Sequence, residues 1–217
     1  MLFKDRYEAG FKLSQKLVRY RHESPLVVGI SRNGVMVASE VAYALGAPLE
    51  VLLIEKLNSD LLPNLAIAAI GTDGTTVLND DLIRLLGVTQ KELLQILEKG
   101  INTLEKRQKI YPEEVVESSL DERTVILVDD GLNTGIRARA AIQMLRQNNA
   151  GKIILATPVS SPEAALSLYQ EADQFVSLKT PADFWQIKSY YCHFPEITDK
   201  KAVQLIKNAS KYVSLVS

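Results

Sequence analysis

Hydrophobic residues fall into short blocks along the chain, and these blocks predict alternating strands and helices. Short, almost fully apolar runs are typical of strands that are buried on both faces of a sheet. Longer stretches with apolar residues at helical spacing lie between them and predict connecting helices. This alternation predicts an α/β fold, with a mainly parallel sheet and helices on both faces. The predicted strands are 26–30, 49–54, 124–128, 152–157 and 174–178, and the predicted helices are 6–19, 35–45, 135–147 and 162–172.

The region between the second and third predicted strands departs from this alternation. Two apolar runs at 65–70 and 75–78, joined by Gly-Thr-Asp-Gly at 71–74, predict an antiparallel hairpin. The polar stretch 58–64 before the hairpin is either a mobile flap that closes over a ligand or an ordinary surface loop. The predicted fold is therefore one α/β sheet with an inserted or capping element.

A long helical segment follows the hairpin, from 80 to 111, with a break near Gly87. After the break, Thr89 and Glu92 have the spacing of a capping box, which predicts the start of a second helix. The predicted organisation is one domain over 1–217, with a hairpin and helical hood at 58–111 and a C-terminal extension at 180–217.

The composition excludes several classes of protein. Lys and Arg number 25 against 26 Asp and Glu, for a net charge of −1, so the composition does not indicate a general affinity for nucleic acid or an anionic membrane. The N-terminus lacks the apolar core of a signal peptide, and no apolar run is long enough to span a bilayer, so we expect a cytoplasmic protein. The only cysteine, Cys192, excludes an internal disulfide and a thiolate zinc cluster.

The segment 125–137 carries the clearest candidate chemistry, because an apolar strand runs into Asp129, Asp130 and a glycine-bounded turn. The two carboxylates can accept hydrogen bonds from sugar hydroxyls or hold water on Mg2+. Backbone N–H groups at 132–136 are expected to face outward and bind a phosphate. The alternative is a strand-ending turn with a helix-capping carboxylate. We favour the ligand site, since adjacent carboxylates repel each other unless a cation or a donor-rich ligand offsets them.

Two further polar segments follow predicted strands of the same sheet. Ser31-Arg32-Asn33-Gly34 is predicted to be a tight turn after the first strand, and Glu55-Lys56 follow the second. Because ligands of open α/β sheets bind at the carboxyl ends of strands, we expect these segments to border the same cleft as Asp129. For Arg32 and Lys56, the alternative is an ordinary surface position.

The stretch 125–141 resembles the signature of type I phosphoribosyltransferases for 5-phosphoribosyl 1-pyrophosphate. Further segments resemble a bacterial branch of that family, and together they extend over essentially the whole chain. These segments are Phe3-Lys4-Asp5-Arg6, Ala9-Gly10, Ser31 to Val35, Leu45 to Leu49, Lys56-Leu57, Leu65-Ala66-Ile67 and Phe194 to Asp199.

The resemblance implies a Mg2+-dependent pentosyltransferase. In that family two acidic residues hold the ribose hydroxyls and, through water, the metal, which assigns Asp129 and Asp130. The turn after them cradles the 5-phosphate, and the loop after the first strand holds pyrophosphate, often through a cis peptide, with Arg32 as the natural cation. Asp129, Asp130 and Arg32 are thus the implied catalytic residues, and Glu55 and Lys56 are candidates on the acceptor side. The implied donor-binding residues are Ser31, Arg32, Asn33, Gly34, Asp129, Asp130, Gly131, Leu132, Asn133, Thr134, Gly135 and Arg137.

The sequence departs from the family pattern at three places. Arg137 replaces the usual Thr or Ser, which loses a hydroxyl but adds a charge that can pair with the phosphate. Asn133 occupies a position where purine-using members carry an acid, and an amide cannot accept the proton of the base. Ser31 and Asn33 stand in a turn that usually reads Pro-Arg-Gly-Gly.

Two groups of side chains have two interpretations each. Arg137 and Arg139 begin a predicted helix, where the positive dipole disfavours them unless an anion binds, and the alternative is that they point to water. The aromatic residues are either a core that seals the C-terminal extension or a platform that stacks a planar acceptor. They are Phe184, Trp185, Tyr190, Tyr191 and Phe194.

The functional hypothesis is transfer of the phosphoribosyl group from 5-phosphoribosyl 1-pyrophosphate to a nitrogen nucleophile such as a nucleobase. The first alternative is a non-catalytic regulatory protein that binds this donor or a nucleotide. A weaker alternative is hydrolysis of a phosphorylated sugar in the same cleft. We expect small-molecule partners and no nucleic acid or membrane, and the family resemblance makes a homodimer possible.

Overall fold

The computed structural model describes residues 2–59, 62–111 and 120–216 of the chain. Its helices and strands, numbered along the chain, are α1 (Arg6–Leu17), β1 (Leu26–Ile30), α2 (Ser31–Leu45), β2 (Leu49–Leu52), β3 (Ile54–Ser59), β4 (Leu62–Gly71), β5 (Thr76–Leu78), α3 (Asp80–Leu85), α4 (Gln90–Gln108), β6 (Thr124–Val128), α5 (Ile136–Gln147), β7 (Lys152–Val159), α6 (Pro162–Leu168), β8 (Gln174–Lys179) and α7 (Asp199–Val216). Short 3-10 helices lie at Val18–Glu23 and Ile187–Tyr190. Five parallel strands form the main sheet, in the order β2-β1-β6-β7-β8, and three antiparallel strands form a second sheet, in the order β3-β4-β5.

The central strands β1 and β6 are apolar at nearly every position because both of their faces are covered. Val27 of β1 and Ile126 of β6 belong to a core shared with α1, α2 and α7. Their neighbours Val28 and Leu127 point to the opposite face, into a core shared with α5. Successive side chains of a strand point to opposite faces, so a strand covered on both sides needs no polar positions. The predicted α/β class is therefore confirmed.

The smaller sheet packs against α5, since Ile54 and Val77 share a core with Ile136 and Leu145. It contains the predicted hairpin between β4 and β5. The apolar run at 49–54 does not form one strand as predicted, since β2 ends at Leu52 and β3 begins at Ile54. Of the expected flap at 58–64, both ends lie in β3 and β4, while residues 60 and 61 lie outside the described residues.

The helices of the hood follow the predicted pattern. Thr89 and Glu92 form the expected capping box, in which each side chain accepts a hydrogen bond from the backbone N–H of the other residue. Gly100 lets α4 approach β3, because a Cβ atom there would lie 2.5 Å from a methyl group of Leu57. None of the described helices combines the length and apolarity needed to cross a membrane.

Helix α2 begins earlier than predicted. Ser31 to Gly34 form its first turn and not a separate tight turn, and Ser31 has a φ of 52°, in the left-handed region that non-glycine residues rarely adopt. Gly34 is needed there because a Cβ atom would lie 2.5 Å from the carbonyl oxygen of Val128. This close approach brings the N-terminus of α2 against the end of β6. The described residues contain no cis peptide bond.

Candidate functional site

A cavity of about 420 Å³ lies at the carboxyl edge of the main sheet. The loop between β6 and α5 forms its floor, the small sheet forms one wall, and the segment 185–188 forms the other. This is the edge where open α/β sheets bind ligands. The described lining residues are Lys56, Leu65, Ala66, Asp129, Gly131, Leu132, Asn133, Thr134, Gly135, Ile136, Arg137, Ala138, Trp185, Gln186, Ile187 and Lys188.

The β6–α5 loop is held in place by hydrogen bonds to the next strand and helix. The N–H of Leu132 donates to Val159 at 2.9 Å, and the hydroxyl of Ser161 donates to the carbonyl of Asn133 at 2.6 Å. Gly135 has a φ of 72°, and a Cβ atom there would lie 2.7 Å from Leu168. A glycine is therefore required where the loop enters α5.

These bonds decide which amides of the loop can face a ligand. The N–H of Leu132 is used within the fold, so the expectation that it binds phosphate is wrong. The N–H groups of Asn133, Thr134 and Gly135 donate to no other group among the described residues. They stand at the N-terminus of α5, where the helix dipole favours an anion.

Asp129 and Arg137 form an ion pair at the cavity wall. The carboxylate is 1% exposed and lies 3.2 Å from the guanidinium. Burial raises the pKa of Asp129 to about 7, although Arg137 beside it lowers that pKa. The charge of Asp129 raises the pKa of Arg137 in turn. An acid with a pKa near neutrality beside a cavity is typical of a functional site.

Asp130 faces away from this cavity, although sequence analysis assigned it the same role as Asp129. Its carboxylate accepts a hydrogen bond from Nε of Arg6 at 2.8 Å, and both side chains are almost fully buried. Arg6 also donates to the carbonyl of Pro195 at 2.8 Å. The two adjacent acids thus have different environments, and the positive charge that offsets Asp130 comes from the protein itself.

The C-terminal aromatic residues differ in how far they are buried. Tyr191 donates its hydroxyl to the carbonyl of Asp130 at 2.6 Å, and the ring of Phe194 lies 3.7 Å from the guanidinium carbon of Arg6. Trp185, in contrast, is 80% exposed and lines the cavity. Tyr191 and Phe194 therefore seal a core around Arg6, while the ring of Trp185 is left uncovered at the cavity.

The first turn of α2 borders this site without lining the cavity. The hydroxyl of Ser31 donates to the carbonyl of Ile54 at 2.8 Å and accepts from the N–H of Ile54 at 3.3 Å, so it joins α2 to β3. Arg32 is about one-third exposed and lies 3.6 Å from Asp199. Asn33 is partly exposed and Gly34 is buried against β6.

The side chains of Glu55 and Lys56, the two acceptor-side candidates, point to opposite faces of β3. Lys56 lines the cavity, and partial burial, together with the nearby charge of Arg137, lowers its pKa. The carboxylate of Glu55 forms an ion pair with Arg107 of α4. Neighbours on a strand point to opposite faces, so only Lys56 can reach the cavity directly.

Internal carboxylates relieve the electrostatic conflict that was predicted at the start of α5. Arg137 pairs with Asp129, as described above, and Arg139 lies 2.8 Å from Glu171 and also donates to Ser167. The anions that these arginines require are thus already supplied by the fold. Among the described residues no group of three or more His, Cys, Asp or Glu side chains is placed to hold a metal ion.

Sequence reasoning did not assign a role to several residues around the site. Arg6 and Asp130 are 124 positions apart, and no local pattern connects them. The only signal for Arg6 was its place in the segment Phe3 to Arg6, which resembles the family. The residues without a predicted role are Arg6, Arg107, Lys188 and Asp199.

Comparison with known proteins agrees with this geometry. A model of the phosphoribosyl transferase domain matches residues 4–194. A provisionally named phosphoribosyl transferase of Mycobacterium tuberculosis, found in two strains, is 36% identical over 210 residues, which is 97% of this chain and 47% of that protein. The chain thus spans about half the length of these curated relatives. The crystal structure of TT1426 from Thermus thermophilus is 33% identical, has a TM-score of 0.75, and is matched over 96% of this chain and 99% of that one.

Proposed function

The chain belongs to the phosphoribosyltransferase family, and on this premise we propose that it transfers the 5-phosphoribosyl group from 5-phosphoribosyl 1-pyrophosphate to a nitrogen nucleophile such as a nucleobase. The observation that carries the proposal is the cavity in which free loop amides, the acid Asp129 and the cation Arg137 converge. A ribose with a phosphate at one end and a diphosphate at the other needs both hydroxyl acceptors and anion-binding groups. This cavity and its border offer both.

The chain's own residues act mainly by positioning and by electrostatics. The amides of Asn133, Thr134 and Gly135 bind the 5-phosphate, and Asp129 accepts hydrogen bonds from the ribose hydroxyls. Displacement of pyrophosphate builds positive charge on the ribose ring and negative charge on the leaving group. Asp129 stabilises the first charge, and Arg32 at the border of the site stabilises the second. Fixed placement of the reacting groups supplies much of the remaining rate enhancement.

The residues that line the cavity supply only part of a Mg2+ site. Asp129 is the one acid among the described lining residues, since Asp130 is paired with Arg6. A hard cation would therefore be held by Asp129, through water, and by oxygens of the donor itself. When bound, Mg2+ neutralises charge on the diphosphate.

The acceptor in this proposal is a planar ring that stacks on Trp185. The exposed indole lies at the cavity, with Lys56 and Lys188 among the other lining residues. Aromatic faces stack well on heterocyclic rings, and the two ammonium groups favour a ring that carries polar acceptor atoms. Asn133 cannot take a proton from the base, so the acceptor must lose its proton to solvent or to another group.

Release of pyrophosphate in the presence of a panel of nucleobases tests this function. We expect release to require both the donor and one of the bases, with Mg2+ present. Release that needs no base would instead identify a hydrolase. Donor binding without release from any base would contradict transfer.

The second candidate is a regulatory protein that binds the donor or a nucleotide without turnover. The ion pair between Asp129 and Arg137 favours this candidate, because the carboxylate already has a partner in the unliganded protein. Its distinguishing result is saturable donor binding by calorimetry together with no release of pyrophosphate. A cytoplasmic location and a homodimer are parts of the proposal that follow from family resemblance and composition.

The raised pKa of Asp129 predicts how donor binding depends on pH. An acid with a pKa of about 7 must lose its proton before it accepts hydrogen bonds or approaches a cation. Affinity for the donor should therefore rise up to about tenfold per pH unit below pH 7 and level off above it. The stability of the unliganded protein should change with pH in the opposite direction, because Asp129 binds its proton more tightly in the native state than in the unfolded chain. Its stability is expected to fall as the pH rises through about 7.

Calorimetry of donor binding at fixed Mg2+, between pH 5.5 and 8.5, measures this dependence. The donor phosphate also titrates near pH 6, so Asp129→Asn serves as the reference that retains only the ligand's own titration. If the logarithm of donor affinity changes with pH by the same slope in the wild type and in Asp129→Asn, the prediction is refuted.

A further inference from the structure

Two arginines and one carboxylate meet beside the first turn of α2. Oδ2 of Asp199 lies 3.6 Å from a nitrogen of Arg32 and 3.6 Å from a nitrogen of Arg107. Both distances are too long for hydrogen bonds, so Asp199 attracts the two guanidinium groups by charge alone. Its other oxygen accepts a hydrogen bond from the hydroxyl of Tyr111 at 2.8 Å.

The two arginines differ in how firmly they are held. Arg107 also pairs with Glu55 and is 19% exposed. Arg32 has no other partner among the described residues, and about one-third of its side chain is exposed. The guanidinium of Arg32 can therefore exchange one anion for another at little cost, because no hydrogen bond has to break.

This cluster adjoins the proposed donor site. Gly34, two residues after Arg32, would place a Cβ atom 3.4 Å from the Cα atom of Asp129. Glu55, the second partner of Arg107, precedes the cavity-lining Lys56 on β3. The cluster therefore lies beside the cavity, on the side where the first turn of α2 meets the end of β6.

We infer that Arg107 joins Arg32 in binding the diphosphate of the donor, and that Asp199 occupies this position in the unliganded protein. The inference rests on the proposed function, since it concerns the donor of that reaction. A diphosphate carries more charge than one carboxylate and can engage two planar guanidinium groups by paired hydrogen bonds. It therefore displaces Asp199, whose carboxylate offsets the charge of Arg32 when the donor is absent.

Titration with inorganic pyrophosphate in the presence of Mg2+ tests this inference. Asp199→Asn removes the competing charge but keeps a side-chain oxygen for the Tyr111 hydroxyl, and we expect it to raise pyrophosphate affinity about tenfold. Arg107→Gln should lower that affinity about tenfold. The matched controls are Asp81→Asn and Arg84→Gln, which alter an exposed ion pair on α3 and should leave the affinity unchanged.

A gain of at least about threefold for Asp199→Asn supports the inference. A smaller gain, a loss, or binding that Arg107→Gln leaves intact overturns it. Absence of pyrophosphate binding in both the wild type and Asp199→Asn overturns it as well. Ribose 5-phosphate separates these failures from failure of the proposed function, because it carries the sugar and phosphate without the diphosphate. Its binding should be the same in all variants, whereas no uptake of ribose 5-phosphate by the wild type would contradict the donor site itself.

Discussion

Replacing Arg6 with leucine is expected to lower the free energy of unfolding by about 3–5 kcal/mol, because it leaves the buried carboxylate of Asp130 without its positive partner. The side chains of Arg6 and Asp130 are only 2% and 1% exposed, so water cannot take the place of the guanidinium. The same substitution removes the hydrogen bond to Pro195 and the contact with Phe194. Chemical denaturation followed by circular dichroism measures the loss.

Two further variants show whether the unpaired charge is the cause. Adding Asp130→Leu to Arg6→Leu replaces the ion pair by apolar groups and should recover about 2 kcal/mol or more. Arg84→Leu removes an arginine that is 75% exposed and should change the stability by less than about 0.5 kcal/mol. A double variant as unstable as Arg6→Leu alone would mean that packing, and not charge, dominates at this position.

The largest expected effect on activity comes from Asp129→Asn, which should lower kcat/KM for transfer about 100-fold. The amide keeps the shape of the side chain but loses the charge that, in the proposed function, accepts hydrogen bonds from the ribose and stabilises its positive charge in the transition state. Arg137 would lose its partner at the same time, but it is 22% exposed and can reach water. The fold should therefore remain stable.

Steady-state kinetics with the acceptor identified from the nucleobase panel measures this loss. Asp81→Asn removes the same charge from a side chain that is 94% exposed and is the matched control. Donor affinity should fall together with kcat/KM, since the carboxylate contacts the donor before and during the reaction. Full activity in Asp129→Asn would show that the acid serves only to hold Arg137.

Much of the fold could be predicted because its signals are local. The apolar runs that became β1 and β6 have the predicted bounds, since these strands are covered on both faces and are apolar at nearly every position. The capping box at Thr89 was also found, because its hydrogen bonds join residues three positions apart. The boundary between β2 and β3 was missed because Leu49 to Ile54 is apolar at nearly every position, although the chain leaves one sheet and enters another there.

The site was harder to predict, because long-range pairs determine what each charge does. Asp129 and Asp130 are adjacent and identical in type, yet one lines the cavity and the other is buried against Arg6. The need of Arg137 for an anion was predicted from the helix dipole, but the sequence could not show that Asp129 supplies it. Periodicity and motif spacing describe neighbours along the chain, and they do not reveal contacts that form only in the folded protein.

The segment 2–6 and the residues near Pro195 enclose Asp130 together. Phe3 exchanges backbone hydrogen bonds with Tyr190 and Cys192, and Lys4 accepts one from His193. During synthesis on the ribosome, Asp130 emerges well before Tyr191 and Pro195, so a nascent chain cannot complete the surroundings of this acid. The native contacts of Asp130 with Tyr191 and with the pair of Arg6 and Pro195 can therefore form only after translation has passed Pro195, when both halves of the main sheet have been made.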